Sequence, residues 1–205
     1  AIYCKNRIED LKPVKNAQEI LSNRGPDSDH FSTSPHILGF RRLAIVEPAE
    51  KAMQPFQKDG ITVLCNGEIY NHKKLEYTYN LKCETGSDCE CILHLYRNFG
   101  FETMIKYLSG DFAIAIIDGD DMYFGRDRIG VRPLFYGRTV DGNLAVASYA
   151  RALTDYCSNV KQVPPGWAHY NKETDGINFY EYSYPEYNVG GVSISKLVHS
   201  NLIKA

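Results

Sequence analysis

Four stretches of the chain place polar groups where a folded interior has no structural need of them. In "RRLAIV", Arg42 interrupts a strand that is otherwise nearly continuous in apolar residues. A guanidinium there can be a solvent-facing charge on an edge strand. It can also be a fixed two-pronged donor for a carboxylate, a geometry that Lys cannot reproduce. In "CNGEIYN", Asn66 and Gly67 read as a hairpin turn, since Asn-Gly between strand residues is a strong turn signal. The same pair can instead aim a side-chain amide and a backbone N–H at one point, and two converging donors hold an oxyanion. Glycine at such a point lets a ligand approach the backbone closely. In "TGSDCE", Asp88 falls in the first turn of a helix, where the helix dipole favours a carboxylate; it can equally accept from a ligand ammonium group. Lastly, "GRDRIGVRPLFY" gathers Arg126, Asp127, Arg128 and Arg132 about a Gly130 turn, and bracing of a loop by buried ion pairs is the expected role. A carboxylate fork, an ammonium acceptor and an oxyanion hole together describe a site for an α-amino acid whose side-chain carbonyl is attacked. What these signals lack is a nucleophile.

The elements that must position these groups follow from periodicity and punctuation. Pro13 to Leu21 reads as a short helix with Val14, Ala17 and Leu21 on one side, followed by a loop through Gly25 and Pro26. His36 to Val46 reads as a strand stopped before Pro48, and Ile61 to Cys65 as a strand running into the Asn66-Gly67 turn. Ser87-x-x-Glu90 has the form of a capping box, and Cys89, Ile92, Leu93, Tyr96 and Phe99 recur at helical spacing until Gly100. Phe101 to Leu108 continues as a second short helix. Beyond Gly110 the pattern changes to strands, "DFAIAIID", "DMYFGRD", "PLFYGRT" and "NLAVASY", with "VPPGWAHYN" extended after them. Strands in two groups with helices between and around them give an α+β domain with mainly antiparallel sheet. From Tyr182 to Gly191 the composition turns to Tyr, Pro, Asn and Gly, a linker, and helical periodicity resumes through Ile194, Leu197, Val198 and Leu202.

Composition excludes several function classes. The 205 residues carry 43% hydrophobic and 23% charged side chains, ordinary globular values for one compact domain. A formal net charge of −2 gives no basic footprint for nucleic acid and no polybasic membrane patch. No apolar run approaches the ~20 residues that span a bilayer. The 6 cysteines lack paired C-x-x-C spacing and read as reduced thiols of a cytoplasmic protein. The 6 histidines show no ligand spacing either, so no metal site is expected.

The motifs "RGPD", "RRLAIV", "NGEIYN", "TGSDCE", "SGDFAIAIID", "GRDRIGVRPLFY" and "VPPGW" occur in the order found in a known family. Over residues 1–182 the chain resembles the glutaminase domain of glutamine-hydrolysing asparagine synthetases, a class II glutamine amidotransferase domain. The resemblance implies an N-terminal-nucleophile hydrolase fold, a four-layer αββα sandwich with two antiparallel sheets. It implies Arg42 as ligand of the glutamine α-carboxylate, with Leu43, Ala44, Ile45 and Val46 alongside, and Asn66 and Gly67 as the oxyanion hole. Glu68 and Asp88 are implied at the α-amino end. Residues 183–191 become a linker and residues 192–205 the first helix of a synthetase domain. ATP and Mg²⁺ are expected in that domain and no cofactor in this one. Glutamine and the C-terminal domain are the implied partners, with a homodimer possible, and neither nucleic acid nor membrane among them.

The family's nucleophile is a cysteine at the mature N-terminus, opening a segment of the type Cys-Gly-Ile-Phe-Ala-Ile-Tyr. Here "AIY" matches only the end of that segment, so the chain is expected to lack the catalytic cysteine. Cys4 is no substitute. A thiol needs an adjacent base, and in this family that base is the cysteine's own α-amino group, with an ordinary pKa of about 7.7–8.0. Cys4 has no free amine. The segment "ASYARAL" departs from the family at Tyr149 and Arg151, where relatives commonly carry an acidic residue and Lys. Two other readings stay open at this level: a non-catalytic glutaminase-like scaffold that has lost its nucleophile, and an amidotransferase with a different acceptor.

Overall fold

A computed structural model describes residues 2–5, 11–44, 46–47 and 49–182, with residues 2–5 described as backbone. The expected linker 183–191 and helix 192–205 lie outside the described residues. The strands are β1 Ile2–Lys5, β2 Ser28–Ser32, β3 His36–Arg42, β4 Phe56–Lys58, β5 Ile61–Ile69 and β6 Gly110–Asp118. They continue as β7 Asp121–Arg126, β8 Phe135–Thr139, β9 Leu144–Ala147, β10 Cys157–Gln162, β11 Gly166–Asn171 and β12 Gly176–Tyr180. The helices are α1 Lys12–Ile20, α2 His72–Tyr79 and α3 Cys91–Tyr107.

The strands form two six-stranded sheets, in the orders β10-β8-β9-β1-β3-β2 and β12-β11-β7-β6-β5-β4. Every neighbouring pair is antiparallel. Period-2 alternation explains the sandwich. In β6, Ala113, Ala115 and Ile117 face the first sheet, where they meet Leu38, Phe40, Leu144 and Val146. The intervening Ile114 and Ile116 pack on the other side with Ile92, Leu95, Met104 and Ile105 of α3. "FAIAII" is therefore apolar throughout because both faces of its strand are buried. On the far side of the first sheet, Ala145 and Ala147 of β9 pack against Val14 and Ala17 of α1. The layers run α1, sheet, sheet, α2 with α3, which is the four-layer αββα arrangement implied by the resemblance.

Three local expectations are corrected. β3 ends at Arg42 rather than Val46, because β2 pairs with it only as far as Ser28 opposite Arg42. The Asn66-Gly67 pair is not a turn: β5 runs straight through it, with Asn66 opposite Ala113 and Gly67 opposite Phe112. Gly67 has φ +152°, and a Cβ there would lie 2.0 Å from the Asp111 carbonyl oxygen, so close strand approach, not a reversal, requires glycine. The capping box forms only by half. Ser87 Oγ accepts from the Cys89 N–H at 3.3 Å, while the Glu90 carboxylate turns back to Glu84 and Thr85. Gly100 has non-helical dihedrals (φ 72°, ψ 172°), so α3 consists of two helical segments that meet there, as expected from the sequence. α2, which the sequence reading left out, buries only Leu75 and shows too little apolar periodicity to stand out.

Candidate functional site

Where β3 and β5 approach the turn that precedes α3, they enclose a cavity of about 370 Å³. Arg42, Leu43, Val46, Asn66, Gly67, Glu68 and Asp88 all line it. Seven residues singled out from the sequence are thus brought to one place from three separate parts of the chain. Ala44 does not line the cavity, and its N–H is taken by Asp27 Oδ2 at 2.8 Å. Ile45 lies outside the described residues.

Arg42 is the last residue of β3 and is 8% exposed. Nη1 donates to the Ala49 carbonyl at 3.0 Å and Nη2 donates to the Glu47 carbonyl. Two of its five N–H groups therefore hold the loop that follows β3, and Leu43 and Val46 are left 55% and 41% exposed at the cavity rim. This is neither a solvent-facing edge charge nor a guanidinium given over wholly to a ligand. It is a buried cation that shapes one wall.

Asn66 and Gly67 line the cavity from β5. Asn66 Nδ2 is fully buried and has no hydrogen-bond partner among the described residues. A buried amide donor without a partner is costly, and the residue that carries it lines the cavity. The strand carrying it is braced on its outer edge by Gln54. β4 pairs with β5 only up to Val63, and Pro55, which has no N–H, ends that pairing. Gln54 is the residue that stands opposite Cys65. Its Oε1 accepts from the Cys65 N–H at 2.6 Å and its Nε2 donates to the Cys65 carbonyl at 3.1 Å. A side-chain amide thus replaces a strand, one residue before Asn66.

Asp88 opens the short 3₁₀ turn that leads into α3 and is 5% exposed. Its Oδ2 accepts from the Ile69 N–H at 2.7 Å, which ties the turn to the end of β5. Cys65 and Cys89 also line the cavity. Contact with the Cys65 thiol, with burial, pushes the Cys89 thiol well above its usual range, so Cys89 is not set up as a thiolate nucleophile. Cys4 lies in the middle of β1, opposite Ile37 and Ala145.

The Arg-rich stretch braces its loop as expected, but Arg126 and Asp127 do so through main-chain hydrogen bonds rather than ion pairs. Arg126 donates to the carbonyls of Arg132, Val163 and Gly130, and Asp127 accepts backbone N–H groups of the loop between them. Arg132 goes further than bracing. It lines the cavity, with Nε 2.5 Å from Asp111 Oδ2. Gln54, Arg24 and Ser148 also line it and were not anticipated. None has a sequence signal, because each reaches the cavity from an element whose position depends on sheet pairing. A buried cation, a buried carboxylate and an unpartnered amide among the residues of one cavity suit a small zwitterion with a polarisable carbonyl.

A family model described as a glutamine amidotransferase domain matches residues 1–171. A probable glutamine-hydrolysing asparagine synthetase from Acanthamoeba polyphaga mimivirus is 38% identical over 165 residues, covering 76% of this chain and 30% of that protein. The glutamine-hydrolysing asparagine synthetase of Triphysaria versicolor is 39% identical over 162 residues, covering 77% of this chain and 27% of that protein. The chain thus spans less than a third of these relatives. Among solved structures, glutamine phosphoribosylpyrophosphate amidotransferase from B. subtilis superposes with a TM-score of 0.61 at 25% identity, over 72% of this chain and 35% of that one. An allosteric regulatory enzyme of purine biosynthesis superposes with a TM-score of 0.72 at 20% identity, over 89% and 48%, a likeness of fold.

Proposed function

The chain belongs to the glutamine amidotransferase domain family, and from that premise we propose that its cavity binds glutamine and serves an asparagine synthetase. The observation that carries the reading is the buried, unpartnered Asn66 amide in a wall shared with Gly67, between Arg42 and Asp88. In this reading the remaining N–H groups of Arg42 take the α-carboxylate, while Asp88 and Glu68 take the ammonium group. The side-chain carbonyl then lies against Asn66 and Gly67. A cysteine at the head of β1, upstream of Ala1, supplies the nucleophile. Its α-amino group accepts the thiol proton, the thiolate attacks the amide carbon, and Asn66 Nδ2 with the Gly67 N–H holds the resulting oxyanion. The proton passes to the leaving nitrogen, ammonia departs, and water hydrolyses the thioester to glutamate. Ammonia then amidates aspartate in a C-terminal domain that uses ATP and Mg²⁺. The mimivirus and plant relatives, each named for glutamine-dependent asparagine synthesis, support that acceptor.

Asn66→Ala in a full-length, cysteine-bearing protein tests the reading. Loss of one oxyanion donor is expected to lower glutamine-dependent turnover by ~10²–10³. Asparagine synthesis from free ammonia is expected to persist. Unchanged glutamine-dependent turnover would overturn the assignment. A wild-type product other than asparagine would move the chain to an amidotransferase with another acceptor.

A further inference from the structure

Beside the 3₁₀ turn, three side chains that are far apart in chemical type come together. The donor atoms of Cys83, Glu90 and His94 all lie within 4.8 Å of one another, and none of the three lines the glutamine cavity. Cys83 comes from the loop before the turn, while Glu90 and His94 stand four residues apart on one face of the turn and α3. Glu90 and His94 are buried, and Cys83 is half-buried.

We propose that Cys83, Glu90 and His94 form a binding site for a thiophilic divalent cation of the zinc type. One observation is the fixing of the carboxylate. Glu90 Oε2 accepts from the Thr85 N–H at 2.7 Å and from the Thr85 hydroxyl at 2.6 Å. Both oxygens share the Glu84 N–H at 2.9 and 3.0 Å. Oε2 is thereby saturated, and Oε1 keeps a lone pair. Outer hydrogen bonds of this kind are what orients a ligating carboxylate. A second observation is the spacing. His94 Nε2 lies 3.7 Å from Glu90 Oε1, too long for a hydrogen bond. Two such ligands on a tetrahedral ion with bonds of roughly 2.0–2.2 Å stand about 3.4 Å apart, so little closure is needed. A thiolate and a carboxylate balance a divalent charge, with imidazole neutral and a fourth position open to water. The thiol proton goes to solvent on coordination. Sulfur and imidazole together select zinc over magnesium or calcium. Such an ion would clamp the loop carrying Cys83 to α3 and so steady the turn that presents Asp88.

The test uses the 205-residue chain, stripped with a chelator and kept reduced with a phosphine. Co²⁺ is added as a spectroscopic probe, then Zn²⁺ in competition. Expected are one ion per chain, a near-ultraviolet thiolate-to-cobalt charge-transfer band that Zn²⁺ abolishes, and a rise in unfolding temperature with Zn²⁺. Cys83→Ser, nearly isosteric, should remove the band and the thermal shift. His94→Gln should weaken binding at least tenfold, and Thr85→Val, which leaves all three ligands in place, by ~10-fold. Absence of the band in the wild type would overturn the site, as would binding that Cys83→Ser and His94→Gln leave unchanged. Circular dichroism of the apo variants separates loss of binding from loss of fold.

Discussion

Asp127 shows how one side chain can order a loop. Its Oδ1 accepts the N–H groups of Ile129, Gly130 and Val131, and its Oδ2 those of Phe112 and Arg132. Burial alone would raise its pKa, but the backbone hydrogen bonds outweigh it and hold the carboxyl below the usual range. A carboxyl whose pKa is depressed by folding adds stability above its unfolded value, about 3.9, and loses it as the pH falls through the folded value. Asp127→Asn is therefore expected to destabilise most at neutral pH, and the gap from wild type should shrink below about pH 4. Denaturant unfolding at a series of pH values measures that gap; a constant gap would assign the loop's order to something else. Residue types made Asp127, Arg42 and Asp88 legible in the sequence. The hold of Arg42 on the loop after β3 was not, since its acceptors are the main-chain carbonyls of Ala49 and Glu47, which every residue carries.

At the scale of elements, β5 is the part of the fold on which the site depends. Its register with β6 brings Gly67 against Asp111, and its outer edge is closed by the Gln54 amide instead of a strand. Gln54→Ala would leave a buried N–H and a buried carbonyl of Cys65 unpaired, at a cost of about 1–3 kcal/mol each. A lower denaturation midpoint is expected, with an unchanged dependence on denaturant concentration. In a complete enzyme, glutamine-dependent turnover should fall further than ammonia-dependent synthesis, because the edge that slackens precedes Asn66. Equal losses would reduce Gln54 to a structural role. The existence and kind of most strands could be read from alternation and turn residues. The Asn66-Gly67 turn was misread because an Asn-Gly pair carries the same local signal whether the chain reverses or a neighbouring strand passes close by.

For the molecule as a whole, the central position of β1 relates the chain's start to the cavity. Its register with β3 runs from Lys5 opposite His36 to Ile2 opposite Gly39, so its upstream end is directed toward Phe40, Arg41 and Arg42, which line the cavity. A chain extended with Cys-Gly-Ile-Phe ahead of Ala1 is expected to be alkylated by an electrophilic glutamine analogue at that new cysteine. Peptide mapping should find Cys4 and Cys89 unlabelled, and label on either would refute the register argument. The sequence by itself determined the class of the domain and which polar residues were candidates for its site, because these are properties of side chains and their order. Only the tertiary structure decided which of them share a cavity, that Ala44 does not, and that Cys83 meets Glu90 and His94. Those are distances across strand pairings and layer contacts, which no local pattern along the chain encodes.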